Sequence, residues 1–238
     1  MAKTGQTSRG VAERFGFESC TSDIDEVLSS SEVNTVFIST RHNTHADYVT
    51  RALRAGKHVF VDKPLAITSE EIDEIEETYQ ALTESPTLLV GFNRRYAELS
   101  KMVADAFTGQ PLSMLFRVNA GPVPADHWTQ DPDVGGGRLI GEVCHFIDFM
   151  TYMCGAHPVS VYSMCLDDTS AVKDTVSVSL KFANGSMGNI LYLANGSNRV
   201  AKEYLEVSAG GRTGIIHDFR EAEVFHGGRK DRRKPVSY

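Results

Sequence analysis

The 238-residue sequence is poor in cysteine, contains one tryptophan, and carries fewer basic than acidic side chains. Its four cysteines are scattered without a C-x-x-C pair, so we interpret them as free thiols in or near the core. Free thiols are typical of a reducing compartment, and we therefore expect a cytoplasmic protein. The formal net charge of −7 argues against general nucleic-acid binding.

Long apolar runs are also missing. No stretch approaches the ~18 apolar residues of a membrane span, and positions 1–16 carry no signal-peptide pattern. We therefore expect no membrane partner. The only basic cluster, Arg229 to Lys234, is interpreted as a solvated loop or edge strand, because short basic runs are weak signals of nucleic-acid binding. The length suits one large domain or two modest ones.

The first half of the chain alternates apolar runs with helical patterns. Strands are predicted over Asn34–Thr40, Lys57–Val61 and Thr87–Val90. A helix over Asn43–Ala55 lies between the first two, and a helix capped by Thr68 or Ser69 precedes the third. Because the links are short, this order predicts parallel βαβ units in a partial doubly wound, Rossmann-like sheet.

The second half changes to a period of two. Residues 174–183 alternate apolar and polar side chains, and Asn184-Gly185 follows as a hairpin signal. Further strand patterns over Met187–Leu193, Tyr204–Ala209 and Thr213–Phe219 predict an antiparallel meander. We therefore expect two domains, residues 1–109 and 110–238, the second an α+β domain with a mostly antiparallel sheet.

The most informative stretch is KHVFVDKP at 57–64, an apolar strand that ends in Asp62, Lys63 and Pro64. It places an ammonium group at the carboxyl end of a strand, where open α/β sheets bind ligands. A lysine at the rim of a dry cleft becomes a usable acid or base near neutral pH. The alternative is a surface Lys-Pro turn.

A second candidate is the helical pattern over Leu139–Cys154, which follows three glycines at 135–137. It is apolar almost all round, and its polar exceptions share one stripe: Glu142, His145, Asp148 and Tyr152. The glycines allow the backbone to approach another group closely. The stripe is either a site or the wet face of a core helix.

These blocks together resemble the Gfo/Idh/MocA family of nicotinamide-dependent oxidoreductases. VFISTRHNTHADYVTRALRAGKHVFVDKP resembles the family's strand, helix and Glu-Lys-Pro block, with Asp62 in place of the usual glutamate. GFNRRY at 91–96 resembles the segment that closes the nucleotide-binding domain. GGGRLIGEVCHFID at 135–148 resembles the glycine-led helix that carries the active-site histidine. The resemblance covers residues 10 to 230.

The resemblance implies hydride transfer between NAD or NADP and a hydroxyl or ketone of a sugar, cyclitol or sugar nucleotide. Lys63 and His145 would be the catalytic residues of a pair across a domain cleft, with His145 hydrogen-bonded to the reacting oxygen as acid or base. Asp62 would orient Lys63 and the cofactor, and Lys63 would also hold substrate and ribose. Thr40, Asn43 and His45 would face the ribose or phosphates.

Candidates for the substrate pocket are Arg94, Tyr96, Asn119, Trp128 and Glu142. Trp128 either stacks on a sugar ring or anchors its loop on the core. The spacing His42-x-x-His45 resembles a metal site only weakly, and we predict no metal. A metal-dependent hydrolase using both histidines and His145 is a third, weaker alternative.

The sequence departs from the family at both ends and near the histidine. The expected first strand and Gly-x-Gly-x-x-Gly turn are missing, since no apolar strand precedes Gly5 and Gly10. The family continues beyond the point corresponding to Tyr238. Gly141 stands where the family often has an aspartate, with Glu142 one step later. We expect a form truncated at both ends, with impaired cofactor binding and activity, that assembles as a homo-oligomer through its C-terminal sheet. The alternative is a non-catalytic remnant or oligomerisation module.

Overall fold

The computed structural model describes residues 1–84, 86–167 and 173–235. It divides into two compact units, Met1–Gly91 and Phe92–Tyr238. The first unit holds four helices and three strands among its described residues: α1 (Gly5–Phe15), α2 (Ile24–Ser29), β1 (Thr35–Ile38), α3 (His45–Arg54), β2 (His58–Val61), α4 (Ser69–Gln80) and β3 (Leu88–Val90). The strands form a parallel sheet in the order β1-β2-β3. The predicted βαβ units are therefore confirmed.

Helix α3 shows why this sequence forms a helix on a sheet. Its predicted stripe of Ala46, Val49 and Leu53 is buried in the core of the first unit. Three residues after Leu53, Gly56 takes φ 70°, a left-handed conformation that glycine adopts without steric cost, and the chain turns into β2. The apolar spacing determines which face of the helix is buried, and the glycine determines where the helix ends.

The second unit holds the remaining elements. They are α5 (Glu98–Asp105), β4 (Ser113–Asn119), a π-helical turn (Leu139–Val143), α6 (Cys144–Cys154), β5 (Pro158–Cys165), β6 (Val176–Phe182), β7 (Met187–Leu193), β8 (Glu203–Ala209), β9 (Arg212–His217), β10 (Glu221–His226) and β11 (Arg229–Arg233). The eight strands form one sheet in the order β11-β10-β9-β8-β4-β7-β6-β5. Every pairing is antiparallel except that of β4 with β7.

The predicted meander is wrong at one step. Strands β7 and β8 follow each other in sequence, but β4 lies between them and pairs with both. Met114, Phe116 and Val118 of β4 are almost fully buried, so this strand supplies the centre of the core. A pairing between distant segments leaves no local trace in sequence.

The boundary between the two units along the chain lies between Gly91 and Phe92, whereas the sequence suggested a break between residues 109 and 110. Helix α5 accounts for the difference. Its buried residues Leu99 and Val103 belong to the core of the second unit, and the helix contacts β9 and β10. The helix therefore belongs with the antiparallel sheet although it precedes the Gly109 turn. Within the described ranges, every helix is too short or too polar to cross a bilayer.

Candidate active site

The carboxyl ends of β1 and β2 form a polar corner in the first unit. Parallel pairing aligns Ile38 with Val61, so the residues that follow the two strands come together. The Ser39 hydroxyl donates to Asp62 Oδ2 at 2.5 Å, and Lys63 follows directly. The Lys63–Pro64 peptide bond is cis. The sequence prediction that Asp62 and Lys63 end a parallel strand is borne out by this arrangement.

Gly91, which follows β3, keeps room beside the Asp62 carboxylate. A Cβ at this position would lie 3.2 Å from Asp62 Oδ1 and 3.1 Å from Phe60 Cζ. A side chain would therefore crowd the second carboxylate oxygen. The donor set fits a nicotinamide dinucleotide, because a carboxylate, an ammonium and hydroxyl groups at this edge suit the hydroxyls of a ribose.

The other predicted cofactor residues lie beyond β1. Thr40 and Asn43 are exposed, and Asn43 belongs to the short 3-10 turn that leads into α3. The Thr40 and Thr44 hydroxyls lie 2.6 Å apart, and Thr44 donates to the Arg41 carbonyl at 2.8 Å. Thr40 and Asn43 therefore present polar groups at the same sheet edge as Asp62.

His45 has a structural position instead. Its side chain is fully buried, with Nδ1 2.7 Å from the Pro64 carbonyl oxygen and Nε2 3.2 Å from the Thr40 carbonyl oxygen. The ring thus bridges the segments that follow β1 and β2. Both nitrogens face backbone oxygens, so this geometry supports neither the cofactor contact predicted for His45 nor a metal site with His42. Among the described residues, no group of three potential ligands could hold a metal ion.

In the second unit, His145 meets an arginine held by a carboxylate. Arg94 donates through Nε to Glu203 Oε2 at 2.6 Å and through Nη2 to Glu203 Oε1. Its Nη1 lies 2.9 Å from His145 Nε2. The Phe92 ring stacks on the imidazole with centroids 6.0 Å apart. His145 and Glu203 are both 5% exposed, so this is a buried polar cluster.

The rest of the polar stripe on α6 also faces arginine. Asp148 accepts from Arg95 Nε at 3.1 Å and from Arg95 Nη2, and Arg95 lies 5.8 Å from the centroid of the Tyr152 ring. Burial raises the pKa of the Asp148 carboxyl, against the opposing effect of Arg95. The stripe therefore packs on the turn Asn93–Tyr96 and is not the wet face of a core helix.

Glu142 leaves that stripe because the π-helical turn shifts its direction. It accepts from the Tyr192 hydroxyl and, at 3.2 Å, from Lys202, and Arg138 lies 3.7 Å away. Burial would raise the pKa of the Glu142 carboxyl, but the Tyr192 hydroxyl and the two cations outweigh it and lower the pKa. Burial and the Glu142 charge raise the pKa of Tyr192.

The remaining substrate candidates occupy different positions. Asn119 is buried, and its amide donates to the Ser197 carbonyl at 2.7 Å, so it anchors a loop. Tyr96 is 58% exposed. Trp128 begins a short 3-10 turn, and its carbonyl lies against Gly135, where a Cβ would come within 2.6 Å. At Gly135, the close approach predicted for the glycines is thus made by the chain's own backbone, whereas a Cβ at Gly137 would meet nothing within 4 Å.

Sequence reasoning missed Glu203 and Tyr192. In β8, alternation places Glu203 on the same face as the buried Leu205 and Val207. In β7, Tyr192 shares the buried face with Ile190. A carboxylate or hydroxyl at a core position needs a buried partner. Strand alternation could therefore have flagged both residues, although it could not name their partners.

The chain thus has a unit with a parallel, Rossmann-type sheet followed by an α+β unit with a mostly antiparallel sheet. Two family models match this chain: an oxidoreductase family with an NAD-binding Rossmann fold over residues 1–92, and the Gfo/Idh/MocA C-terminal domain over residues 96–216. The chain belongs to the Gfo/Idh/MocA family.

Two curated relatives are sugar or cyclitol dehydrogenases by name. Myo-inositol 2-dehydrogenase of Thermotoga maritima is 29% identical over 194 residues, which cover 76% of this chain and 56% of that enzyme. Levoglucosan dehydrogenase of Pseudarthrobacter phenanthrenivorans is 27% identical over 239 residues, which cover 86% of this chain and 60% of that enzyme. The chain thus spans less than two thirds of the length of these relatives.

The fold is similar to that of a solved levoglucosan dehydrogenase in complex with NADH and levoglucosan. The TM-score is 0.84 at 24% identity, over 99% of this chain and 70% of that chain. A structure of UDP-N-acetylglucosamine 3-dehydrogenase from Acidithiobacillus ferrooxidans gives a TM-score of 0.82 at 19% identity. That match covers 99% of this chain and 74% of the other chain. At these identities the likeness concerns the fold.

Proposed function

We propose that this chain is an oxidoreductase that transfers a hydride between NAD or NADP and a hydroxyl or ketone of a sugar, cyclitol or sugar nucleotide. The observation that carries the proposal is the corner of Ser39, Asp62 and Lys63 at the carboxyl edge of a parallel sheet. Family membership and the names of the curated relatives support the substrate class.

Each side chain has a role that its chemistry permits. The bound nicotinamide would accept or give the hydride. Lys63 would exchange the proton of the reacting hydroxyl, and Asp62 would hold the ribose and orient the lysine. Thr40 and Asn43 would bind the cofactor from the turn after β1. His145 would hydrogen-bond the reacting oxygen, because an oxygen that changes between hydroxyl and carbonyl needs such a partner.

For the substrate site we propose roles for Arg94, Glu142, Tyr96, Trp128 and Asn119. Arg94 and Glu142 occupy buried or half-buried ion pairs, so we assign them to shaping the site. Tyr96 and Trp128 are the candidates for direct contact with a sugar-like ring, since aromatic faces pack on such rings. Asn119 would support that surface by anchoring the loop at 197–200.

A polyol oxidation assay tests the proposal. The chain would be mixed with NAD⁺ or NADP⁺ and with myo-inositol, levoglucosan or a UDP-sugar, and formation of reduced cofactor would be followed by absorbance. Lys63→Met should lower kcat/KM by about 10²–10⁴, as loss of a proton-transfer group does. Lys101→Met, at an exposed lysine of α5, is the matched control. Equal activity of Lys63→Met and wild type would refute the role of Lys63.

We further propose that the protein is cytoplasmic and forms a homo-oligomer through its C-terminal sheet. Cys20, Cys154 and Cys165 are free thiols, as is usual in a reducing compartment. Strand β5 forms one edge of the sheet, is exposed along its whole length, and carries no charge. An uncharged, exposed edge strand is a template for pairing with another chain. The same surface supports the second candidate function, a non-catalytic oligomerisation module.

A further inference from the structure

The cluster around His145 specifies where the imidazole carries its proton. The Arg94 guanidinium points Nη1 at His145 Nε2 over 2.9 Å, while Nε and Nη2 grip both oxygens of Glu203. A guanidinium has five N–H donors and no acceptor. The His145 Nε2 atom must therefore offer a lone pair in this contact. In a neutral imidazole, the single proton then resides on Nδ1.

From this geometry we infer that Arg94 is a positioning residue that holds His145 as the neutral Nδ1–H tautomer, so that His145 acts as a hydrogen-bond donor and not as a base. This inference rests on the proposed function. It deepens that proposal, because the sequence alone does not decide whether His145 acts as an acid or as a base. With Nε2 occupied by a cation, a proton taken from substrate has to go to another group, for which Lys63 is the candidate.

The surroundings of Arg94 are built to keep it in place. The centroids of the Phe146 and Phe219 rings lie 5.6 and 5.3 Å from the Arg94 guanidinium carbon. Arginine over aromatic faces is an attractive arrangement. Bidentate pairing with Glu203 adds a fixed direction, since the planar fork matches both carboxylate oxygens. Together these contacts hold Nη1 toward the imidazole.

The turn that supplies Phe219 is itself unusual. Asp218 and Phe219, between β9 and β10, take φ of 51° and 52°, a left-handed conformation that is rare for a bulky residue. The Asp218 carboxylate accepts from the Glu203 backbone N–H at 3.1 Å. Backbone strain of this kind persists where the surrounding contacts hold it, and it clusters at functional sites. One turn thus supports both the carboxylate and the ring that hold Arg94.

Nitrogen NMR of the histidine rings tests the tautomer directly, without cofactor or substrate. The protein would be labelled with ¹⁵N-histidine, and the His145 signals would be assigned with His145→Gln. At neutral pH, wild-type His145 should show a pyrrole-type Nδ1 and a pyridine-type Nε2. In Arg94→Met/Glu203→Leu, which removes both charges and so leaves no buried carboxylate unpaired, the proton should shift toward Nε2 or the ring should become doubly protonated.

The matched control is Arg95→Met/Asp148→Leu. It removes the neighbouring arginine of the same turn with its own bidentate carboxylate, and it should leave the His145 spectrum unchanged. A wild-type spectrum in which His145 carries an Nε2–H or a doubly protonated ring would overturn the inference. This result requires only the His145→Gln variant used for assignment to fold, and not the Arg94 variant. An unchanged tautomer in the folded Arg94 variant would also overturn the inference. Because the experiment omits cofactor, absence of dehydrogenase activity would refute the proposed function and leave this result intact.

Discussion

At the scale of single residues, several polar side chains predicted to bind ligands are engaged with the protein itself. His45 and Asn119 both use their polar atoms on backbone carbonyls and are almost fully buried. Buried polar groups need such partners, because leaving them unpaired is costly. Asp62 and Lys63 differ, since they lie only half-buried at the open end of a parallel sheet. Their position, more than their residue type, makes Asp62 and Lys63 the better candidates for ligand binding.

Two glycine-to-alanine substitutions should change the stability of the protein in opposite directions. Gly135→Ala should destabilise the protein by about 1–3 kcal/mol, because its Cβ would lie 2.5 Å from Thr129 Cα, a backbone atom that cannot swing away. Gly10→Ala lies inside α1 with nothing within 4 Å of the new Cβ, so it should stabilise by up to about 1 kcal/mol. Urea denaturation measures both. If the two substitutions changed the free energy of unfolding by similar amounts, helix propensity and backbone crowding would not explain the stability at these two positions.

At the scale of elements, local patterns predicted the strands and helices well where one face is buried. The stripe on α3 and the alternation in β6 are strictly local, and both elements form with only their ends shifted. The Asn184-Gly185 hairpin also forms, with Gly185 at φ 88°. Long-range pairings could not be predicted this way. Arg94 and Glu203 are separated by 109 positions, and no periodicity links them.

The turn that leads into α6 likewise shows that local sequence patterns cannot predict which candidate site residues lie together. The sequence placed Glu142 and His145 on one helical stripe, but the π-helical turn Leu139–Val143 separates their partners. His145 meets Arg94, whereas Glu142 meets Tyr192 and Lys202. A helical wheel assumes regular geometry, so it cannot anticipate an extra residue in the turn. The site roles of Glu142 and His145 therefore stay predictions, whereas their predicted grouping on one stripe differs from the structure.

The Tyr192–Glu142 hydrogen bond predicts a pH-dependent loss of stability. Tyr192→Phe should lower the free energy of unfolding by about 1–2 kcal/mol at pH 7, because the bond to an ionised carboxylate is lost. The folded-state pKa of Glu142 lies below its ordinary value of 4.5, so its contribution is complete above that value and is lost as pH falls through the folded pKa. The effect of the substitution should therefore shrink in acid.

Urea denaturation at pH 7 and at a series of lower pH values, down to the lowest at which the protein stays folded, measures that difference. Tyr96→Phe, at a tyrosine that is 58% exposed and lies outside β5, serves as the control and should change stability little at any of these pH values. A Tyr192→Phe effect that stays constant throughout the acid range would contradict the role given to the Glu142 carboxylate. Such a result would mean that the hydroxyl does not stabilise the ionised carboxylate.

At the scale of the whole molecule, the two edges of the large sheet contrast. Strand β11 carries the basic cluster found in the sequence, and its side chains pair with acids: Arg232 with Glu221, and Lys230 with Glu223. Charged side chains discourage edge pairing. Strand β5 lacks this protection, with Val161, Tyr162 and Met164 each about 60% exposed or more. The proposed self-association therefore concerns the β5 end of the sheet.

Charges placed on β5 should weaken the proposed oligomer. Tyr162→Lys/Met164→Lys should shift the mass measured by light scattering toward the monomer, because two cations on each copy would repel and would have to lose water on association. Gln6→Lys/Ser31→Lys adds the same charge at exposed positions of the first unit and is the control. A wild-type protein that is monomeric at all accessible concentrations would contradict both the oligomer and the oligomerisation-module alternative.

We propose that the first unit binds a nicotinamide dinucleotide at the edge formed by Ser39, Asp62 and Lys63. The direct measurement is calorimetric titration of the folded protein with NADH and with NADPH. The account predicts saturable binding of at least one of them, weakened about tenfold or more in Asp62→Asn and unchanged in Asp73→Asn, an exposed aspartate of α4. No binding of either cofactor at about 1 mM, or equal affinity of Asp62→Asn and wild type, would contradict it.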